Sequence, residues 1–502
     1  MNRPAATFDG TYTRPTTTAA SAAPERRPMV LGELTSPQTT ARLEQTLAHF
    51  RARRESVLGY QLSQQLDGYA RLAPFLDFHL DNIGDPFSPS LTPLNTKEFE
   101  REVLDYFARL WHAHGPADVD DPESYWGYVL SMGSTEGTIY ALWNARDYLA
   151  GGRLLRSHAG AAPPPIREPV LFHSQDAHYS VAKAAVMLRI HTIQELGESR
   201  YPGQCPITET GEWPQAVPSV GGSTGTGRID VAKLAALVEF FADRGHPPII
   251  LLALGSTFKG ACDEPEAVWE AIRDVLRRNG MYSEDSDTDR QGYWMHIDGA
   301  LGAGYLPFME MAAQQGLIDR PGPRFDFRLP YVSSIVASGH KWFGTPFPTG
   351  VYLSKQRFRL APPSDPRYIG SADTTLSGAR SGLACLVWWH TLAARGHTEQ
   401  VRAVCNALGL ADYLTERLRE LEETLGIPLW VDRADQSLAV RFRRPADPIV
   451  AKYGLVGERA RVGTDPERDY VHIFLMPHVS KEVIKLLLAD LSEPGAYPSM
   501  LL

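Results

Sequence analysis

Four short stretches combine residue types that could do chemistry. In "SGHKWFGTPFPTG" (residues 338–350), Lys341 lies between a histidine and two aromatic residues, and a turn rich in glycine and proline follows. Loss of water around an amine disfavours its charged form and makes it a better nucleophile toward an aldehyde. An exposed loop lysine is the plain alternative. In "YWMHIDGALGAGYLPF", Asp298 ends an apolar run and precedes small residues. A buried carboxylate is costly unless paired, so it is either a turn former or the partner of a protonated ring nitrogen. The small residues after it would let a flat ring approach. In "SQDAHYSVAKAA", His178 follows another apolar run, as a structural histidine or as a stacking plate. In "SMGSTEGT" (residues 131–138), hydroxylic and glycine residues precede a helix, where they cap it or hold a phosphate.

These groups work together only if the fold brings them to one place. From about Trp126, short apolar runs alternate with helical segments. "WGYVLSM" leads into "TEGTIYALWNARDYLA", and "EPVLFHS" into "HYSVAKAAVMLRI"; "PPIILLALGS", "YWMHIDGA" and "VSSIVAS" read as buried strands. Such alternation predicts a mainly parallel sheet with helices on both faces, in which ligands lie at the carboxyl ends of strands. All four stretches fall at such ends. An amine for an aldehyde, a carboxylate for a ring nitrogen, a stacking ring and a phosphate cradle are together what pyridoxal 5′-phosphate needs.

The rest of the chain sets the frame. Its 502 residues exceed one ordinary core, so two or three structural units are expected. A formal charge of −9 argues against nucleic acid as the main partner. No apolar run is long enough to span a bilayer, and the first residues lack the apolar core of a secretory signal. Residues 1–35, rich in Thr, Ala, Ser and Pro, read as a disordered arm. Residues 36–56 and 95–115 read as helices. In the second, Phe99, Val103, Phe107 and Leu110 form an apolar stripe, and Asn95 with Glu98 suggests a cap. Three stretches read as surface insertions: 151–165, 201–227 and 282–291. A helix-prone segment over 382–425, the strands "QSLAVRFRR" and "DYVHIFLMPHV" and a closing helix "SKEVIKLLLADLS" suggest a small α+β unit. The expected division is therefore an arm (1–35), a helical segment (36–125), a large cofactor-binding domain (126–380) and a small C-terminal domain (381–502). Four scattered cysteines without a CxxC give no metal site and no disulfide framework, which suits free thiols in a reducing cytoplasm.

The order "GSTEGT … DAHYSVAK … GSTFKGACDE … HIDGALG … SGHKWFGTPFPTG" resembles the PLP-dependent group II amino-acid decarboxylases. The likeness is to the branch of histidine and serine decarboxylases, which includes actinobacterial methionine and valine decarboxylases. It spans roughly residues 57–490, from "LGYQLSQQLDGY" and "DNIGDPFSPS" to "VHIFLMPHVSKEVI". The resemblance implies the type I aminotransferase-like α/β fold, a mainly parallel seven-stranded sheet with a small α+β C-terminal domain, and a cytoplasmic homodimer with active sites at the interface. It implies that Lys341 holds the cofactor as a Schiff base, that Asp298 pairs with the ring N–H, and that His178 and Ala300 cover the two ring faces. Ser134, Thr135 and Ser338 would bind phosphate, Thr257 would lie at the ring edge, and His340 would face the substrate. Tyr368 in "SDPRYIGSADTTLSG" would protonate the product, with Tyr453 as the alternative. Bulky Trp342 and Phe343, the turn "GTPFPTG", and Gln61 and Gln64 in "GYQLSQQ" depart from the relatives. Gln64, Trp342 and Phe343 are thus expected to contact a neutral, apolar side chain such as methionine, leucine or valine, with histidine as the alternative. An aminotransferase using Arg441 for the carboxylate, and an inactive binding protein, are the competing classes.

Overall fold

The computed structural model describes residues 37–66, 68–155, 168–283, 290–362, 364, 367–460 and 467–497. The expected arm over residues 1–35 lies outside them. The chain divides into a unit ending at Arg53 and a compact unit from Arg54 onward. Of the first, the structure describes one helix, Pro37–Arg53, on which Leu43, Leu47 and Phe50 are exposed.

The second unit is built on seven strands: β1 (Tyr125–Leu130), β2 (Val170–His173), β3 (His191–Thr192), β4 (Pro248–Ala253), β5 (Trp294–Asp298), β6 (Ser334–Ser338) and β7 (Gly350–Lys355). Their order is β1-β7-β6-β5-β4-β2-β3. Strands β2 to β6 pair in parallel, and β7 runs antiparallel to both β6 and β1. Two reversals cancel, so β1 runs in the same direction as β6. The carboxyl ends of β1, β2, β4, β5 and β6 therefore share one edge. Every position of β1 and of β4 to β7 is buried, the pattern of a sheet covered on both faces.

Strand β1 lies at the end of the sheet, where backbone N–H groups lack a ladder partner. There Val129 N–H donates to Glu100 Oε1 (3.0 Å). Glu100, on helix Lys97–Leu110, in turn pairs with Arg380, and both side chains are buried. Helix Ser134–Leu149 lies close against β6 because Gly137 has no side chain; a Cβ there would meet Val336 Cγ2 at 2.4 Å. That approach brings the helix start to the end of β6.

A second, antiparallel sheet has the order β8 (Ala439–Arg443), β10 (Arg468–Phe474), β9 (Val456–Ala460). One hydrophobic core runs through both sheets, with Leu252 and Ile297 of the first and Val440 and Ile473 of the second in the same buried cluster.

The structure departs from expectation in particular places. Asn95 does not cap its helix with Glu98. The helix starts at Lys97, and Asn95 Oδ1 accepts only the Lys97 N–H (3.2 Å), one residue short of a capping box. The segment over 382–425 is two helices, Gly382–Ala394 and His397–Leu425, because Gly396 is extended and its N–H goes to the Glu399 carboxylate. Residues 201–227 are no mere surface insertion: Trp213 and Val217 are buried, and Trp213 Nε1 donates to Tyr201 O (2.8 Å). Much of the other two expected insertions, residues 156–165 and 284–289, lies outside the described residues.

Candidate active site

The stretch that carries Lys341 is the connection from β6 to β7. Its base is tied by Gly339 N–H to Thr349 O (2.7 Å) and Thr345 N–H to Gly339 O (3.0 Å). Lys341 is partly buried, and its Nζ donates to Gln61 Oε1 (2.6 Å). Burial pushes the amine down from 10.5 to about 8, against the opposing pull of Asp298. The charge of Lys341 and that of Asp298 also act on His178, whose pKa is lowered, chiefly by burial and then by the lysine. The three side chains from β6, β5 and the turn after β2 thus converge at one sheet edge.

Asp298 is the last residue of β5 and only 7% exposed; its Oδ1 accepts the Ala300 N–H (3.2 Å). Ala300 O accepts the Ser338 N–H (3.0 Å), which fixes the ends of β5 and β6 side by side. His178 is oriented by Ser180, whose Oγ lies 2.7 Å from Nδ1. The start of helix Ser134–Leu149 faces the same edge. Ser134 N–H donates to Ser338 Oγ (3.1 Å), and Glu136 Oε2 accepts the N–H groups of Ser131 (2.7 Å) and Met132 (2.9 Å). Gly133 precedes the helix with φ +70°, a backbone state that favours glycine, and a Cβ there would meet His340 Cε1 at 2.9 Å. Burial and the neighbouring lysine push His340 down to about 4, so its ring is neutral.

Thr257 lies in the turn 254–262 after β4. Gln61 Nε2 donates to two carbonyls of this turn, Gly255 O (3.2 Å) and Ser256 O (3.3 Å). Two residues beyond Thr257, Lys259 forms a buried ion pair with Asp176 (2.9 Å), two residues before His178. Asp176 Oδ2 also accepts from Ser219 Oγ (2.5 Å). Lys259 thereby ties the turn after β4 to the turn after β2. Its replacement by methionine would strand the Asp176 charge, and Glu458, which feels the same amine. Lys259→Met is expected to cost about 3–5 kcal/mol of folding stability, read by denaturant unfolding. A loss under about 1 kcal/mol would show that the pair is dispensable.

Other expected site residues are placed differently. Trp342 and Phe343 turn into the core. Trp342 Nε1 donates to Gln400 Oε1 (2.9 Å), and Phe343 packs edge-on against Phe107 and Trp388. Their contribution is to bury the base of the lysine turn, which corrects their reading as substrate contacts. Gln64 is held through its backbone, whereas Gln61, three residues earlier, is the glutamine that meets the lysine. Tyr368 is 76% exposed and forms no hydrogen bond among the described residues. Tyr453 is buried, donates to Asp490 Oδ2 (2.8 Å) and is pushed up to about 12, so it is a packing residue of the C-terminal part. Arg441 is equally committed. It bonds Asp432 (2.7 Å) and Thr224 O (2.9 Å) and lies over the Tyr470 ring, so it does not serve as a carboxylate receptor.

A buried carboxylate, an amine pushed toward neutrality, a ring at a strand end and a helix start carrying Ser134 and Thr135 fit pyridoxal 5′-phosphate, and the sheet is that of the type I fold of such enzymes. Residues 219–438 match the pyridoxal-dependent decarboxylase conserved domain. Histidine decarboxylase of Solanum lycopersicum is 30% identical over 91% of this chain and 89% of its own length. Serine decarboxylase 2 of Oryza sativa subsp. japonica is 30% identical over 89% of this chain and 76% of its own. Among solved structures, L-methionine decarboxylase from Streptomyces sp.590 is 41% identical, with a TM-score of 0.88 over 94% of this chain and 99% of that one. The chain belongs to the pyridoxal-dependent group II decarboxylases, lyases that remove CO2 from an amino acid. Among the described residues, no helix is long and apolar enough to cross a membrane.

Proposed function

We propose that the chain decarboxylates a neutral, apolar L-amino acid, methionine first among them, to the primary amine. The observation that carries this reading is the 41% identity, at a TM-score of 0.88, to a methionine decarboxylase, against 30% to the histidine and serine enzymes. The neutral Gln61 amide beside Lys341 supports a substrate without side-chain charge.

When bound, pyridoxal 5′-phosphate supplies an electron sink for the pair released as the bond to the carboxylate breaks. The chain's own residues bind, orient and move protons. Lys341 Nζ is the amine that would hold the cofactor's aldehyde carbon. Asp298 keeps the proton on the ring nitrogen. The helix start at Ser134 and Thr135, with the Ser338 hydroxyl, holds the phosphate. His178, Ala300 and Thr257 would hold the ring, and the neutral His340 would receive the substrate. Arg441 is engaged elsewhere and does not serve the substrate carboxylate; poor solvation of that carboxylate would favour loss of CO2.

Tyr368 supplies the proton to Cα, and its exposure lets it serve the neighbouring subunit of a homodimer. Exposed Met132 and Tyr179, adjoining Gly133 and His178 in the chain, with exposed Val186 and Met187 on the helix Ser180–Leu188 that follows, support an interface at the site. The four cysteines are free thiols, in keeping with a cytoplasmic enzyme.

The test is CO2 release from each of the proteinogenic L-amino acids with added cofactor, with the product identified by mass. Methionine is expected to be turned over fastest, giving its amine. Histidine as the preferred substrate would overturn the specificity, and a keto acid without CO2 would overturn the reaction.

A further inference from the structure

Residues 57–64 form a strap between the site and the C-terminal sheet, and backbone groups at both of its ends have fixed partners. Leu58 N–H donates to Tyr453 O (2.9 Å), and Phe474 N–H donates to Leu58 O (2.9 Å). His472 Nε2 donates to Gly59 O (3.0 Å). Gly59 has room for no side chain, since a Cβ would meet Gly454 O at 2.4 Å. Ser63 N–H donates to Lys341 O (3.1 Å) and His340 O (3.3 Å), the backbone of the lysine turn itself.

One side chain holds both ends of the strap. Gln64 N–H donates to His478 Nδ1 (3.2 Å), so that nitrogen carries no proton, and the opposite nitrogen, Nε2, donates to Val57 O (3.4 Å). Arg54 secures the same end, its Nε and Nη2 donating to Gln64 O at 3.0 and 2.6 Å. Between the two stapled ends the strap presents Gln61. Its amide has little freedom, because Nε2 is fixed on the Gly255 and Ser256 carbonyls while Oε1 accepts from Lys341 Nζ (2.6 Å).

We propose that His478 is a positioning residue: it staples residues 57–64 so that Gln61 holds the Lys341 amine in place for capture of a pyridoxal aldehyde. The inference rests on Lys341 being the amine that takes the cofactor. His478 acts through the strap and touches neither cofactor nor substrate.

The measurement uses the full chain stripped of cofactor. Pyridoxal 5′-phosphate is added, and the rate of its covalent capture is followed by absorbance across pH, alongside the thermal midpoint of each apo protein. His478→Ala is expected to change the capture rate, or shift its pH midpoint, in the same direction as Gln61→Ala, by about fivefold or more. The double variant is expected to be no worse than the stronger single one, because both remove the same restraint. His478→Gln, whose amide can replace one of the two hydrogen bonds, is expected to recover part of the loss. If His478→Ala does not fold, Arg54→Ala loosens the same end from an exposed position, and its effect is expected to vanish in the Gln61→Ala background. Effects that multiply in the double variant would overturn the proposal. So would normal capture by either Gln61→Ala or His478→Ala. Capture that survives Lys341→Ala would instead overturn the assignment of the amine, not of the staple.

Discussion

Replacing Lys341 with alanine is expected to abolish turnover, by on the order of 10⁴-fold or more, and to end covalent retention of pyridoxal 5′-phosphate. The fold should survive. The side chain is only partly buried, its side-chain hydrogen bond is to Gln61, and removing it also removes the cost of desolvating an amine. A stability change within about 1 kcal/mol is therefore expected. The native amine makes a further, graded statement. Only its neutral form attacks an aldehyde, and burial pushes the amine down from 10.5 to about 8. Near neutral pH, the neutral fraction is then larger by roughly two orders of magnitude than for an exposed lysine. Cofactor capture by the apo protein should accordingly rise with pH and level off above about 8. Reduction with borohydride followed by mass analysis locates the attachment; ordinary turnover by Lys341→Ala would end the whole functional reading.

Asp298→Asn is expected to leave the cofactor bound but to cut the rate by about 10²–10³-fold. Asparagine has the same shape, and its carbonyl can still accept the Ala300 N–H. What it lacks is the charge that keeps a ring nitrogen protonated. A second consequence separates charge from shape. Asp298 is the group that raises the Lys341 pKa against burial, so its neutralisation should move the amine lower still. The pH midpoint of cofactor capture should fall in Asp298→Asn, even as catalysis collapses. An unchanged rate would reduce Asp298 to a turn former at the end of β5.

These two residues were legible in the sequence because each lies at or just past the end of a largely apolar run, and a buried strand followed by a polar residue and small residues has few other uses. The parallel architecture was legible for the same reason. Strand β7 was harder to read: its run "VYLS" follows a turn rich in proline, and only pairing shows that it inserts between β1 and β6. Trp342 and Phe343 were misjudged because adjacency to Lys341 says nothing about direction; a turn sends consecutive side chains to different sides, here into the core. Gln61 was noticed but passed over for Gln64, since the choice depends on which residue of a non-repetitive strap faces inward. That is decided by partners such as His472 and His478, which no local pattern announces.

The strap also has a consequence for the order in which the protein becomes competent. His472 meets Gly59 across 413 residues of chain, and His478 meets Val57 across 421. Contacts of such separation close late, after the loop between them has been paid for in entropy. During synthesis, residues 57–64 leave the ribosome more than 400 residues ahead of His472 and His478 and must wait for them before they find their partners. The lysine turn and its sheet can assemble earlier, yet the glutamine that steadies the amine is fixed only once His472 and His478 have followed. A nascent or C-terminally shortened polypeptide would thus carry every reactive group and still lack the restraint that organises them.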